Sequence, residues 1–123
     1  MKTMMIAVTA LAVVGCGATT PIPADKLTRA QQRVREADAM AATVTDPKAL
    51  SHLQLAKEQL TYGKRLLIEG ENKDARWVLM RAEADAEAAL ALGNVQAAKA
   101  DAQQTIEAIR QAMALIQQGG SGS

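Results

Sequence analysis

Residues 49–89 read ALSHLQLAKEQLTYGKRLLIEGENKDARWVLMRAEADAEAA, and the reading of this stretch decides the fold. Before Gly70, the residues Ala49, Leu53, Ala56, Leu60, Gly63 and Leu67 recur at alternating spacings of four and three. After it, Ala75, Leu79, Ala82, Ala86 and Ala89 do the same. That spacing gathers apolar and small side chains on one face of a helix and leaves the charged residues between them on the other. Gly70 supplies the left-handed conformation that ends a helix, and Asn72 or Asp74 is available to cap the next one. The stretch therefore predicts two antiparallel helices around a turn at Gly70.

Working outward, the same seam continues in both directions. Upstream, Leu27, Ala30, Val34, Ala37, Ala41 and Val44 line one face of an earlier helix, with Arg33, Arg35 and Glu36 between them. Asp46-Pro47 separates it from the second helix: the Asp46 carboxylate can cap the free amides, and Pro47 suits the first helical position. Downstream, Gly93, Ala97 and Ala100 extend the third helix, and Ile106, Ile109, Met113 and Ile116 carry an apolar stripe onward. Gly93-Asn94 is its weak point, at about 1 kcal/mol relative to Ala for a mid-helix Gly. The expected class is all-α, with helices at about 24–44, 47–69 and 72–117.

Two architectures fit these lengths. The simpler is a long antiparallel helical hairpin whose first arm, residues 24–69, is broken at Asp46-Pro47 and whose second arm is residues 72–117. It pairs Leu67 with Ala75, Leu60 with Ala82, Leu53 with Ala89 and Leu27 with Met113, large against small. The alternative is a three-helix bundle, with the first helix folded back beside the second. That arrangement leaves a protruding C-terminal helix with an exposed stripe of Val95, Ile106, Ile109 and Met113, which calls for a partner to cover it.

Composition sets the outer limits. The chain has 123 residues, about a fifth of them Ala, with a net charge of +1, one Cys, one His, one Trp, one Tyr and no Phe. One domain fits the length. The interspersed charges give no basic face for nucleic acid, and the Cys and His counts supply no cofactor or metal cluster, so no metal ligand is assigned. His52 reads as a partly buried or solvated side chain. Glu83, Asp85 and Glu87 read as a solvated acidic face and not as an acid–base pair, and no nucleophile with a positioned base is present. No catalytic residue is assigned, and the chain is not expected to be an enzyme. Tyr62 and Trp77 fall near each other beside Gly70, where Gly63 leaves room for the indole. They read as a staple of the turn or, alternatively, as an interaction tip (Tyr62, Gly70, Trp77) for a peptide or ligand, with Lys64, Arg65, Lys73 and Arg76 around it.

The first residues read as an address. Lys2, an apolar run from Ile6 to Val14 and then Gly15-Cys16 form a secretory leader over residues 1–15, too short to span a bilayer. Val13-Val14-Gly15-Cys16 resembles the lipobox of bacterial lipoproteins. The resemblance implies cleavage between Gly15 and Cys16, a lipid on Cys16, and, with Gly and not Asp at position 17, the periplasmic side of the outer membrane. Residues 16–23 form a tether with two prolines, and residues 119–123 a flexible tail behind the helical domain at 24–118. Removing Lys2 with the leader leaves 13 basic and 13 acidic side chains, so the mature chain is neutral.

Two further resemblances cover the helices. Gly63, Leu66, Gly70, Ala75, Leu79 and Ala82 are similar to one tetratricopeptide hairpin, although Gln59 and Glu87 stand where that repeat has Trp and Pro. A single unit builds no peptide-binding solenoid. Over the whole chain, the lipobox, the linker, Leu53 to Ala56-Lys57 to Leu60, Gly70 and the run Ala82-Glu83-Ala84-Asp85-Ala86-Glu87-Ala88-Ala89 resemble a family of uncharacterised envelope lipoproteins with an Ala-rich helical domain, often found ahead of OmpA-like domains. The resemblance implies a membrane-anchored, non-enzymatic helical scaffold or protein-interaction module, whose partner is a protein or a second copy. The 123 residues end before any such domain, so direct peptidoglycan binding is not among the expectations.

Overall fold

A computed structural model describes residues 20–120, which form three α-helices and no strand: α1 (Ala24–Ala41), α2 (Pro47–Ile68) and α3 (Asn72–Gly120). The leader, Gly15, Cys16 and the first part of the tether lie outside the described residues, as do the last three of the tail. Gly119 and Gly120, expected in the tail, are the final residues of α3.

Local chemistry explains each boundary. α1 stops three residues short of the expected Val44, because the Thr43 amide and hydroxyl both donate to the Met40 carbonyl at 3.0 Å and turn the chain. α2 begins as expected: Asp46 Oδ1 accepts from the amides of Lys48 at 2.8 Å and Ala49 at 3.4 Å, with Pro47 at the first helical position. It ends at a Schellman motif, in which Gly70 has φ +82°, its amide donates to Leu67 and the Glu71 amide donates to Leu66. α3 starts differently from the expectation. The Glu71 carbonyl accepts from the Ala75 amide at 2.9 Å, and the Asn72 side chain points to the tether in place of capping the helix.

The α2–α3 pair keeps the expected register. A Cβ on Gly63 would come 2.7 Å from Leu79 Cδ2, so the missing side chain is what lets Leu79 lie across α2 fully buried. Leu53, Leu60, Ala82 and Ala89 belong to one core cluster. At the end of α2, Leu66 is buried and Leu67 is only half-buried, so the seam shifts by one residue at the turn.

α1 departs from the expected hairpin. It does not extend α2 away from the turn to place Leu27 against Met113. It folds back, so that Ala30, Val34 and Ala37 join the same cluster, Leu27 packs against it, and Met113 is exposed. Lys57 of α2 pairs with Asp38 of α1, and Arg33 of α1 lies 3.3 Å from Glu87 of α3. Gln96 of α3 accepts from the amides of Thr45 and Asp46 at 3.0 and 2.9 Å, closing the α1–α2 loop. Near it, a Cβ on Gly93 would come 2.7 Å from Met40 Sδ and 2.9 Å from Val44 Cγ2. The expected weak point of α3 is the place where the end of α1 docks, and the helix runs through it unbroken.

The physical reason is burial. Eight of the core positions among the described residues are Ala, each covering little apolar area, and a seam of Ala gains more by touching two helices than one. The result is an up–down–up bundle over residues 24–96, from which α3 projects another 24 residues, about 36 Å at 1.5 Å per residue.

Candidate functional site

The bundle presents two exposed ends. At the turn end, the Asn72 amide nitrogen donates to the Thr20 carbonyl at 2.8 Å, holding the tether against the start of α3. Thr20 lines a cleft with Gly70, Glu71 and Lys73, and residues 20–23 line another with Asp25 and Arg76. Pro23 is buried. The chain thus enters the fold beside the α2–α3 turn. No local signal in the sequence marks this, because Asn72 reads as an ordinary helix cap.

The two aromatics do not form the expected staple. Leu79 occupies the space left by Gly63, and Trp77, between the buried Ala75 and Leu79, lies on the outer side of α3 with 59% of its surface exposed. Tyr62 is also exposed, and its ring carries the Arg65 guanidinium 4.9 Å above its centre. Arg65 in turn lies 3.7 Å from Glu69. Lys64, Lys73 and Arg76 are exposed around the same turn, and Ile68, the last residue of α2, is 88% exposed. A shallow depression formed by Gln54, Lys57, Thr61, Tyr62 and Arg65 runs along α2 alone, so it has no second wall to enclose a ligand.

Within the acidic run on α3, Asp85 and Glu87 meet partners from other helices, and Glu87 stays exposed. Asp85 is clamped from α2 by His52, whose Nδ1 lies 2.9 Å from Oδ1, and by Gln59, which donates to Oδ2 at 2.8 Å. Glu87 faces Arg33 of α1. Sequence spacing placed these carboxylates on α3, but the partners come from other helices and leave no local trace. Arg33 also donates to Glu36 at 3.0 Å and Gln32 donates to the same carboxylate at 2.9 Å. The Gln32 bond, followed by the Arg33 bond, holds the Glu36 carboxyl below the usual glutamate range. Among the described residues, no three of His, Cys, Asp and Glu converge as around a metal ion.

At the far end, every residue from 97 to 120 is exposed, including Ile106 (56%), Ile109 (52%), Met113 (60%) and Ile116 (75%). This stripe does not continue the bundle seam. At about 100° per residue, Val95, Ala98, Ala102, Ile106, Ile109, Met113 and Ile116 centre roughly half a turn away from Ala75, Leu79, Ala82, Ala86, Ala89 and Gly93. Ala97 and Ala100, expected in the seam, are exposed. No helix among the described residues is long and apolar enough to cross a membrane.

A family model described as "Domain of unknown function (DUF4398)" matches residues 25–105, which covers α1 from its second residue, all of α2, and α3 as far as Thr105. The chain belongs to this family. No curated protein and no solved structure matches it. The DUF4398 match takes in the whole bundle, whereas Ile106, Ile109, Met113 and Ile116 lie beyond it. The turn end is therefore part of the family's domain, and the apolar stripe of α3 lies mostly outside it.

Proposed function

We propose that this DUF4398 chain is an envelope lipoprotein, anchored in the outer membrane by a lipid on Cys16 and facing the periplasm, that works as a non-enzymatic helical scaffold. The observation that carries the scaffold reading is the projecting half of α3. A 24-residue helical segment that is exposed throughout among the described residues, yet carries Ile106, Ile109, Met113 and Ile116 on one face, is built to be covered. A helix face with anchors at these spacings suits an apolar groove or another helix, either in a different protein or in a second copy of this chain. The anchor is supported by Gly15-Cys16 at the end of the apolar run Ile6 to Val14.

Two measurements test the two halves separately. A photoreactive residue at position 109, in cells, is expected to capture a protein, while the same residue at the exposed Gln54 on α2 is not. Equal capture at both places would remove the stripe from the account. Metabolic labelling with a tagged fatty acid, read with intact mass, is expected to show a chain starting at Cys16 plus lipid, and Cys16→Ala is expected to abolish both. An unlabelled wild type, or cleavage elsewhere, would overturn the anchor.

A further inference from the structure

We infer that the turn end of the bundle is a membrane-facing surface that seats in the headgroup region of the leaflet holding the anchor, with α3 directed away from it. The inference rests on the reading of Cys16 as the lipidated residue. Thr20 is the fourth residue after Cys16, so at about 3.5 Å per residue the lipid lies within roughly 14 Å of Thr20. Thr20 is itself fixed to the start of α3 by the Asn72 bond. The opposite end of the bundle, at Gln96, lies 24 residues along α3 from Asn72, about 36 Å at 1.5 Å per residue, which is out of reach.

The side chains at the turn end suit a lipid surface. Ile68 is 88% exposed at the last turn of α2, Ile22 is 66% exposed in the tether, and Trp77 is 59% exposed. Trp77 stands five residues into α3, about 7.5 Å along the axis. Sinking of the turn by roughly 5–10 Å therefore brings Trp77 to the interface, where Trp is the enriched side chain. Lys64, Arg65, Lys73 and Arg76 can reach headgroup phosphates from the same turns. Glu69, Glu71 and Asp74 nearly balance them, so apolar insertion, and not net charge, holds the surface down. A zwitterionic bilayer is therefore a sufficient partner.

The single Trp and the single Cys make the test direct. The chain from Cys16 onward, which contains every residue of the bundle, is coupled through its thiol to a maleimide lipid in phosphatidylcholine vesicles. Trp77 emission is expected to shift to the blue and to lose at least about half its intensity to brominated acyl chains, and to keep that quenching at about 0.5 M salt, where screening acts within roughly 4 Å. Ile22→Glu with Ile68→Glu is expected to restore solvent-like emission with the unfolding midpoint unchanged, because both residues are exposed. An unquenched Trp77 in the coupled wild type would overturn the inference, and a tip that binds a peptide in place of lipid gives that result. Quenching abolished by salt would overturn insertion. The coupling works whether or not cells acylate Cys16, so its failure and a failure of the labelling experiment are distinguishable.

Discussion

The two halves of α3 are one continuous helix with opposite fates. Between Asn72 and Gln96 the seam of Ala75, Leu79, Ala82, Ala86, Ala89 and Gly93 is buried against α1 and α2, and from Ala97 to Gly120 larger apolar residues stand in the open. The enclosed half uses small side chains because two helices approach it closely. The open half carries Ile and Met, and no helix among the described residues limits their size. The side chains that look most like core, Ile106, Ile109 and Ile116, are thus outside it, and Ala residues that look incidental form it. Apolar size alone does not locate a core, whereas spacing combined with close approach does.

The sharpest way to break this comparison is to truncate one residue in each half. Leu79→Ala, which empties a fully buried site, is expected to cost about 2–5 kcal/mol in urea unfolding, whereas Ile109→Ala is expected to stay within about 0.5 kcal/mol in the monomer. A large cost at Ile109 at low protein concentration would mean that the open half is enclosed after all.

A second test adds volume to the enclosed half. Gly63→Ala places a Cβ 2.7 Å from Leu79 Cδ2 and 2.9 Å from its Cγ, which is not the free end of the side chain. Overpacking of about 1–3 kcal/mol, set against about 1 kcal/mol of gained helix propensity, is expected to leave a net loss of up to about 2 kcal/mol. A stabilised Gly63→Ala protein would show that α2 and α3 pack more loosely than this crossing requires.

The smallest expected effect comes from pH. The Glu36 carboxyl is held below its usual range by its bonds from Gln32 and then Arg33, so the folded state prefers the charged form. Its contribution is complete above the unfolded glutamate range and is lost as pH falls through the lower folded value. Because the site is on the solvent side of α1, the effect is small and weakens with salt. Titration of the Glu36 side-chain carbon by NMR is expected to show a midpoint below that of an unstructured glutamate, and Gln32→Ala is expected to raise it.

Much of this molecule was decided by the sequence itself, because the signals are local. The Asp46 cap with Pro47, the left-handed Gly70 and the four-three spacing of Leu53, Leu60, Leu79 and Ala82 act within a few residues, and they determined three helices and the register of α2 against α3. The place of α1 was decided only in three dimensions. Its seam of Ala30, Val34 and Ala37 is compatible with lying along either half of α3. What selects the proximal half is burial against two helices at once, with Arg33 meeting Glu87, Asp38 meeting Lys57, Gln96 closing the loop at Thr45 and Asp46, and Gly93 leaving space for Met40 and Val44. The same holds for Asp85 with His52 and Gln59, and for Asn72 with Thr20. Each of these pairs joins separate segments of the fold through residues at least 19 positions apart, and such a choice is visible only once the helices have met.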